Sequence, residues 1–219
     1  MEKKIKHYSS DYRLKEIIKA IEKDDKEKAI QEATALYQGC KIMHDGLVDQ
    51  FSLALNYIAE NEGEEGIGRV WRYISDNNYV PRTIAGLKSG KLSYETYRDY
   101  LRLGEISHFS DFTEEEDDEK TVFSMNKCGV CSRMVCEKKL DRQEGGALNL
   151  GTIKEAHEWT CGQTGMPYYC VHAPHYFNID PKANDIDMLE WIWGRMTDDD
   201  GNIINEPCKE IIYKKPREK

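Results

Sequence analysis

The clustering of cysteines constrains the second half of this chain more than any other feature of the sequence. The run KCGVCSRMVC places three thiols within nine positions: Cys128, Cys131 and Cys136. The later run WTCGQTGMPYYCVHAPH adds two thiols and two imidazoles: Cys161, Cys170, His172 and His175. Such a group can form disulfides, hold a metal or an iron–sulfur cluster, supply a nucleophile, or pack as small apolar side chains.

The size of the chain argues against disulfides as its main source of stability. A chain of 219 residues can bury a sufficient core without covalent links. The seven cysteines are an odd number, which leaves one thiol unpaired in any scheme of disulfides alone. We found neither a secretory leader pattern nor an apolar run long enough to span a membrane. We therefore expect a soluble, cytoplasmic protein with no membrane partner, in which clustered thiols are more often metal-binding or catalytic.

The net charge of the chain indicates which classes of partner it can bind. The 40 acidic residues outnumber the 31 basic ones and give a formal net charge of -9. Binding to a phosphate backbone depends on clustered lysine and arginine. We therefore expect no nucleic acid partner, and a small molecule as the substrate or ligand.

The first hundred residues show helical periodicity. Leu14, Ile17, Ile18 and Ile21 recur at the spacing of one helix face. Asp24 and Asp25 indicate a break and a new N-cap, and further apolar stripes follow at residues 29–37, 42–60 and 67–74. Ser93 is a candidate N-cap for one more helix. The pattern predicts a helical region over residues 1–104.

The pattern changes after residue 104. Residues 108–112 and 121–125 alternate as half-buried strands do, on either side of the acidic run 113–120. Short helices are predicted near residues 155–159 and 168–177. Two more strands are predicted at residues 188–193 and 208–213. Residues 198–202 indicate a turn in the loop that connects them. We therefore predict an α+β protein, with helices first and then a mixed antiparallel-sheet domain over residues 105–219 that carries a metal–thiolate site.

The thiol spacing favours a metal. Zinc prefers thiolate and imidazole ligands, and Cys-x-x-Cys turns such as Cys128–Cys131 direct two sulfurs to one ion. Gly129 eases that turn. The predicted ligand set is Cys128, Cys131, Cys161 and Cys170, with zinc as the cofactor. Four residues are held open as replacements: Cys136, His157, His172 and His175.

Two other interpretations stay open. Three closely spaced thiolates and one distant cysteine also permit an iron–sulfur cluster, with Cys161 or Cys170 as the fourth ligand. The cysteines could instead be buried as small hydrophobes. That second interpretation is the favoured one for Cys40, which has no thiol or imidazole near it in sequence except His44.

A nucleophilic role is a further possibility for Cys170. A thiolate paired with histidine is activated, and His172 and His175 follow Cys170 closely. These three residues are the candidate catalytic groups. Residues two apart on a regular helix do not face each other, so spacing alone does not pair Cys170 with His172.

The carboxy-terminal half resembles a known family in two segments, Tyr169–His172 and Glu206–Tyr213. It is similar to the L-2-amino-thiazoline-4-carboxylate hydrolase-like proteins, in which a cysteine-containing helix precedes a strand, a turn and a closing Cys-aromatic strand. The spacing of Glu158, Cys161 and Cys170 resembles that of 4-vinyl-reductase-like ligand-sensing domains with a cysteine-rich zinc site. The resemblance implies hydrolysis of a small organic molecule, whereas the extra thiols Cys131 and Cys136 depart from the hydrolase pattern.

These observations predict a metal–thiolate enzyme that acts on a small organic molecule, most simply a hydrolase. A sensor or binding module with structural zinc is the alternative from another class, and an iron–sulfur redox protein is the third. Metal content distinguishes the last of these from the other two.

Overall fold

A computed structural model describes residues 9–194 and 207–217, and the predicted turn at 198–202 lies outside them. The chain divides into two compact units, Met1–Leu47 and Val48–Lys219. The second unit therefore contains helices that precede residue 104 as well as the sheet. The predicted boundary at residue 104 stays a prediction.

The predicted helical region is confirmed. Its helices are α1 (Tyr12–Glu22), α2 (Lys26–Glu62), α3 (Glu64–Ile74), α4 (Ala85–Lys88) and α5 (Tyr94–Ser107), with a π-helical segment at Ser75–Ile84. The side chain of Asp25 accepts a hydrogen bond from the Lys28 amide, and that of Ser93 accepts one from the Thr96 amide, as expected of N-caps. No described helix combines the length and the apolar character that crossing a membrane requires.

Helix α2 differs from the expected pair of helices. The stripes at residues 29–37 and 42–60 belong to one continuous helix of 37 residues. Gly39 lies between them, but a single glycine costs only about 1 kcal/mol relative to alanine and does not end a helix. Gly63, with a φ of 72°, is where the chain leaves α2.

A four-stranded antiparallel sheet follows, as predicted. Its strands are β1 (Asp111–Glu116), β2 (Lys120–Lys127), β3 (Leu189–Ile192) and β4 (Cys208–Tyr213), in the order β1-β2-β4-β3. The acids of the 113–120 run are not all in the turn, because β1 extends to Glu116. Ion pairs hold two of them there, Glu114 with Arg102 at 2.6 Å and Glu116 with Lys214 at 2.8 Å.

The segments between β2 and β3 are short helices and loops. They comprise α6 (Cys131–Cys136), 3₁₀ turns at Glu158–Thr160 and Tyr168–Val171, α7 (His172–Pro174), a π-helical segment at His175–Ile179, and α8 (Asp180–Ala183). The helix predicted over 168–177 is thus a run of mixed helical turns that reaches Ala183. The core of the second unit gathers side chains from α2, α3 and α5, the sheet and these segments, among them Leu55, Ile67, Tyr97, Phe123, Met134, Val171 and Ile212.

Candidate functional site

The Cys-x-x-Cys loop lies between the end of β2 and the start of α6. A Cβ built at Gly129 would overlap the carbonyl oxygen of His108. The Gly129 amide donates to Ser110 Oγ at 3.2 Å. Only glycine allows this close approach of two backbones, so the turn that carries Cys128 and Cys131 depends on it.

A network of ion pairs connects α6, which follows this loop, to α2. Arg133 is buried, and its guanidinium donates to Asp49 Oδ1 at 2.7 Å and to the Gly129 carbonyl at 3.3 Å. Lys139 reaches Asp49 Oδ2 at 2.7 Å. Burial alone would raise the pKa of Asp49, but the hydrogen bonds from Arg133 and Lys139 outweigh it and hold that pKa below its usual value. Asp49 therefore anchors α2 to α6 from a partly buried position.

Strand β4 brings two polar side chains to the inner face of the sheet. Side chains alternate along a strand, so Cys208, Glu210 and Ile212 share one face. Cys208 is opposite Met125 in β2, and Glu210 is opposite Phe123. A thiol and a carboxyl thus interrupt an otherwise apolar inner face.

These elements enclose a cavity of about 70 Å³, which we call the thiol cavity. Four cysteines from three separate segments line it, together with two glutamates and two histidines. Apolar and aromatic side chains make up the rest of its wall. The lining residues are Glu105, His108, Met125, Cys128, Val130, Cys131, Tyr169, Cys170, His172, Ala173, Trp191, Trp193, Cys208 and Glu210.

Two of the four cysteines are bonded to each other. Cys131 and Cys170 form a disulfide, and their Cα atoms are 7.1 Å apart. Cys128 and Cys208 are free thiols, each only partly exposed. One disulfide and two free thiols therefore line the same cavity.

Each free thiol accepts a hydrogen bond from the backbone. The Val130 amide donates to Cys128 Sγ at 3.3 Å, and the Gly194 amide donates to Cys208 Sγ at 3.1 Å. Burial nevertheless raises the pKa of Cys128, and it raises the pKa of Cys208 to about 12. Both sulfurs are protonated at neutral pH, although their surroundings include the donors that a thiolate would use.

The pKa values of the two glutamates are also raised. Glu210 is only 9% exposed, and its Oε2 has no hydrogen-bond partner. Burial, followed by the nearby charge of Glu105, raises the pKa of Glu210 well above its usual value. Burial also raises the pKa of Glu105. Among the described lining residues, neither lysine nor arginine offers a counter-charge.

His172 is a neutral base in the same cavity. Its Nδ1 lies 2.7 Å from the carbonyl oxygen of Tyr169, and because a carbonyl only accepts, Nδ1 carries the proton. Burial lowers the pKa of His172, so the ring is uncharged and Nε2 is its basic nitrogen.

The structure separates the candidate residues into two groups. Cys128, Cys131, Cys170 and His172 line the thiol cavity. Cys161 and His175 line a different cleft. The predicted ligand set of Cys128, Cys131, Cys161 and Cys170 is therefore not assembled around one point.

The replacement candidates outside the cavity have other surroundings. Cys136 is exposed at the end of α6. The ring nitrogens of His157 lie 3.0 Å from a carboxylate oxygen of Glu64 and 3.1 Å from one of Glu65. No group of three or more His, Cys, Asp or Glu side chains in residues 9–194 and 207–217 has the geometry of a formed metal site. The metal–thiolate part of the predicted fold has no support in the structure as it stands.

Sequence reasoning missed three members of the cavity as functional residues: Glu105, Cys208 and Glu210. One signal was available for two of them. The predicted strand 208–213 places Cys208 and Glu210 on the face that also carries Ile212, where an apolar residue is the norm. Glu105 lies near the end of α5, and the sequence has no signal for it.

Comparisons with protein-family models, with curated proteins and with solved structures gave no match. The resemblance of residues 169–172 and 206–213 to the hydrolase-like and ligand-sensing families stays a prediction.

Proposed function

We propose that this protein is a metal–thiolate protein that holds zinc in the thiol cavity when its cysteines are reduced. The ligands are Cys128, Cys131, Cys170 and Cys208, so Cys208 takes the place that sequence analysis gave to Cys161. The observation that carries the proposal is the convergence of four cysteines, from three segments, on a cavity whose described lining includes neither lysine nor arginine.

The buried acids of the cavity favour a cation. The thiols and the Glu210 carboxyl, whose pKa values burial raises, stay protonated in this cavity unless a cation replaces the thiol protons. Four thiolates around one divalent ion would keep a net charge of about −2, and this negative charge favours a protonated Glu210, which agrees with its raised pKa. The Val130 and Gly194 amides would then donate to the thiolates of Cys128 and Cys208.

The spacing of the bonded pair also suits a shared ion. Disulfides usually join Cα atoms about 4.4–6.8 Å apart, and the pair Cys131–Cys170 is at 7.1 Å. Two ligands of one tetrahedral zinc have sulfurs about 3.8 Å apart, because each Zn–S bond is about 2.3 Å. The same backbone positions therefore fit two co-ligands at least as well as a disulfide.

Thiol–disulfide exchange is a weaker account of the same sulfurs. It needs an accessible thiolate to attack the disulfide. Cys128 is the neighbouring free thiol, but burial raises its pKa. Cys170 is likewise engaged with Cys131, so a nucleophilic role with His172 requires prior reduction.

Hydrolysis of a small organic molecule is the activity we propose for this centre. A purely structural four-cysteine zinc site has no need of the buried Glu210 carboxyl and a neutral imidazole, whose burial costs free energy. In a hydrolytic step, His172 Nε2 would take a proton from water as its oxygen bonds to carbon, and the Glu210 carboxyl would protonate the leaving group. A bound zinc would supply Lewis acidity, provided that one coordination position opens to water or substrate.

Elemental analysis of protein purified anaerobically with reductant tests the metal. We expect one zinc per chain and no colour. Brown protein with iron and sulfide would favour the redox alternative, and reduced, folded protein that binds no metal would overturn the proposal.

Hydrolysis of 4-nitrophenyl acetate by the zinc-loaded protein tests the activity. Glu210→Gln should keep the zinc and lose the turnover. Full zinc without turnover of this ester or of an amide panel would leave a structural zinc site, the sensor alternative.

A further inference from the structure

The disulfide in the thiol cavity and the zinc site proposed above use the same two cysteines. Cys131 and Cys170 are bonded to each other in the structure, and both are ligands when the cavity holds zinc. A metal ligand must be a thiolate, and a sulfur that is bonded to a second sulfur is not one. The disulfide and the four-thiolate zinc site are therefore alternative states of one cavity.

The two cysteines that stay free in the disulfide state cannot hold zinc by themselves. Tetrahedral zinc takes four ligands, and Cys128 and Cys208 supply two. Burial raises the pKa of both thiols, so without the metal they keep their protons at neutral pH. Forming the disulfide therefore removes two ligands and leaves the other two protonated.

The change between the two states needs only side-chain movement. Sulfurs that share one zinc are about 3.8 Å apart, and those of a disulfide about 2.05 Å. The backbone on each side of the bond is held by other contacts. The Gly129 turn fixes the segment of Cys131, and Trp71 Nε1 donates to the Tyr168 carbonyl at 2.8 Å beside Cys170.

We propose that the thiol cavity is a peroxide sensor, in which oxidation forms the Cys131–Cys170 disulfide and releases the zinc. This inference rests on the proposed zinc site. The cavity of about 70 Å³ has room for hydrogen peroxide, which is little larger than water. Loss of the zinc removes the Lewis acid of the proposed hydrolytic centre, so peroxide switches that activity off.

The oxidation consumes one peroxide for each disulfide. One of the two thiolates attacks a peroxide oxygen, the O–O bond breaks, and a sulfenic acid and a hydroxide form. The second thiolate attacks that sulfur, the S–O bond breaks, and the disulfide forms with a second hydroxide. Two electrons pass from the sulfurs to the peroxide. A dithiol such as dithiothreitol returns two electrons, reopens the disulfide and allows zinc to bind again.

A triple variant of the full chain isolates the cavity. Cys40→Ser, Cys136→Ser and Cys161→Ser together leave the four cavity cysteines as its only thiols. The three replaced residues are exposed, so we expect the variant to fold as the parent does. It is reduced, loaded with zinc, freed of reductant and treated with about one equivalent of hydrogen peroxide, beside an untreated control.

Three measurements follow the reaction. A chromogenic chelator measures released zinc, Ellman's reagent counts thiols in the denatured chain, and peptide mass spectrometry locates the disulfide. We expect the treated variant to release its zinc, its thiol count to fall from four to two, and the new bond to join Cys131 to Cys170. Dithiothreitol followed by zinc should restore the loaded state.

The possible failures of the two proposals give different results. Zinc that stays bound after the peroxide treatment, or zinc release without a Cys131–Cys170 bond, would overturn the sensor and leave the zinc site standing. A reduced variant that is folded by circular dichroism but holds no zinc before the peroxide is added would overturn both.

Discussion

Cys208 and Glu210 are two residues apart on β4, and both side chains line the cavity that contains the Cys131–Cys170 disulfide. A sheet face that packs on a core normally carries apolar side chains at such positions. Placing a thiol and a carboxyl there costs free energy unless something bound in the cavity offsets it.

Glu210 should make stability fall as the pH rises. Its raised pKa means that the folded protein holds this proton where the unfolded chain has lost it. The contribution is present in full below about pH 4.3, the unfolded value, and is lost as the pH rises toward and through the folded pKa. Glu210→Gln removes this loss. We expect it to raise the free energy of unfolding at about pH 8 by at least about 1 kcal/mol, with little change at about pH 4.

Urea denaturation across that pH range measures the effect. Glu115→Gln, at an exposed glutamate of β1, is the matched control and should change neither end of the range. An equal effect of Glu210→Gln on the free energy of unfolding at the two ends of the pH range would contradict the prediction. It would mean that the pKa of this carboxyl is the same in the folded and unfolded states.

Gly129→Ala should damage the Cys-x-x-Cys turn. The new Cβ overlaps the His108 carbonyl oxygen, and relief requires one of two backbones to move. We expect a loss of about 3 kcal/mol or more in the free energy of unfolding, measured with urea. Gly104→Ala is the control: its Cβ meets no atom within 4 Å in helix α5, and it should stabilise by about 0.5–1 kcal/mol. A Gly129→Ala protein as stable as its parent would show that the two backbones are not in contact.

Asp49→Asn should destabilise the protein, because it removes the closer of two carboxylates paired with the buried Arg133 and leaves Glu137 at 3.1 Å. Breaking a buried ion pair completely costs about 3–5 kcal/mol, and the remaining pair with Glu137 puts the expected loss near about 2 kcal/mol. Asp187→Asn breaks the exposed pair with Arg217 and should cost less than about 1 kcal/mol. Similar losses in the two variants, measured by urea denaturation, would place Arg133 in solvent.

Much of the fold follows from local pattern. Residue spacing and turn residues, which act over a few positions, predict several elements correctly. These are the helix α1, the N-caps at Asp25 and Ser93, and the strands β3 and β4. The two apolar stripes at residues 29–37 and 42–60 belong to one helix, α2, because Gly39 between them costs only about 1 kcal/mol relative to alanine and does not end a helix.

The membership of the thiol cavity could not be derived in the same way. Cys161 is close to Cys170 in sequence, but its φ of 54° and that of 77° at Gly162 turn the chain, and its sulfur lies 3.6 Å from the Asn178 amide instead. Cys208 is far from Cys128 in sequence and reaches it because β4 pairs with β2. Convergence of this kind depends on strand order, which local pattern does not encode.

The zinc content of two single-cysteine variants tests the central claim most directly. Cys208→Ser and Cys161→Ser are purified anaerobically with reductant beside the parent protein, and zinc per chain is measured by elemental analysis. Because structural metal binding needs its complete ligand set, we expect Cys208→Ser to lose most of the zinc and Cys161→Ser to keep it. Loss in Cys161→Ser with full zinc in Cys208→Ser would contradict the account and restore the ligand set that the sequence alone suggested.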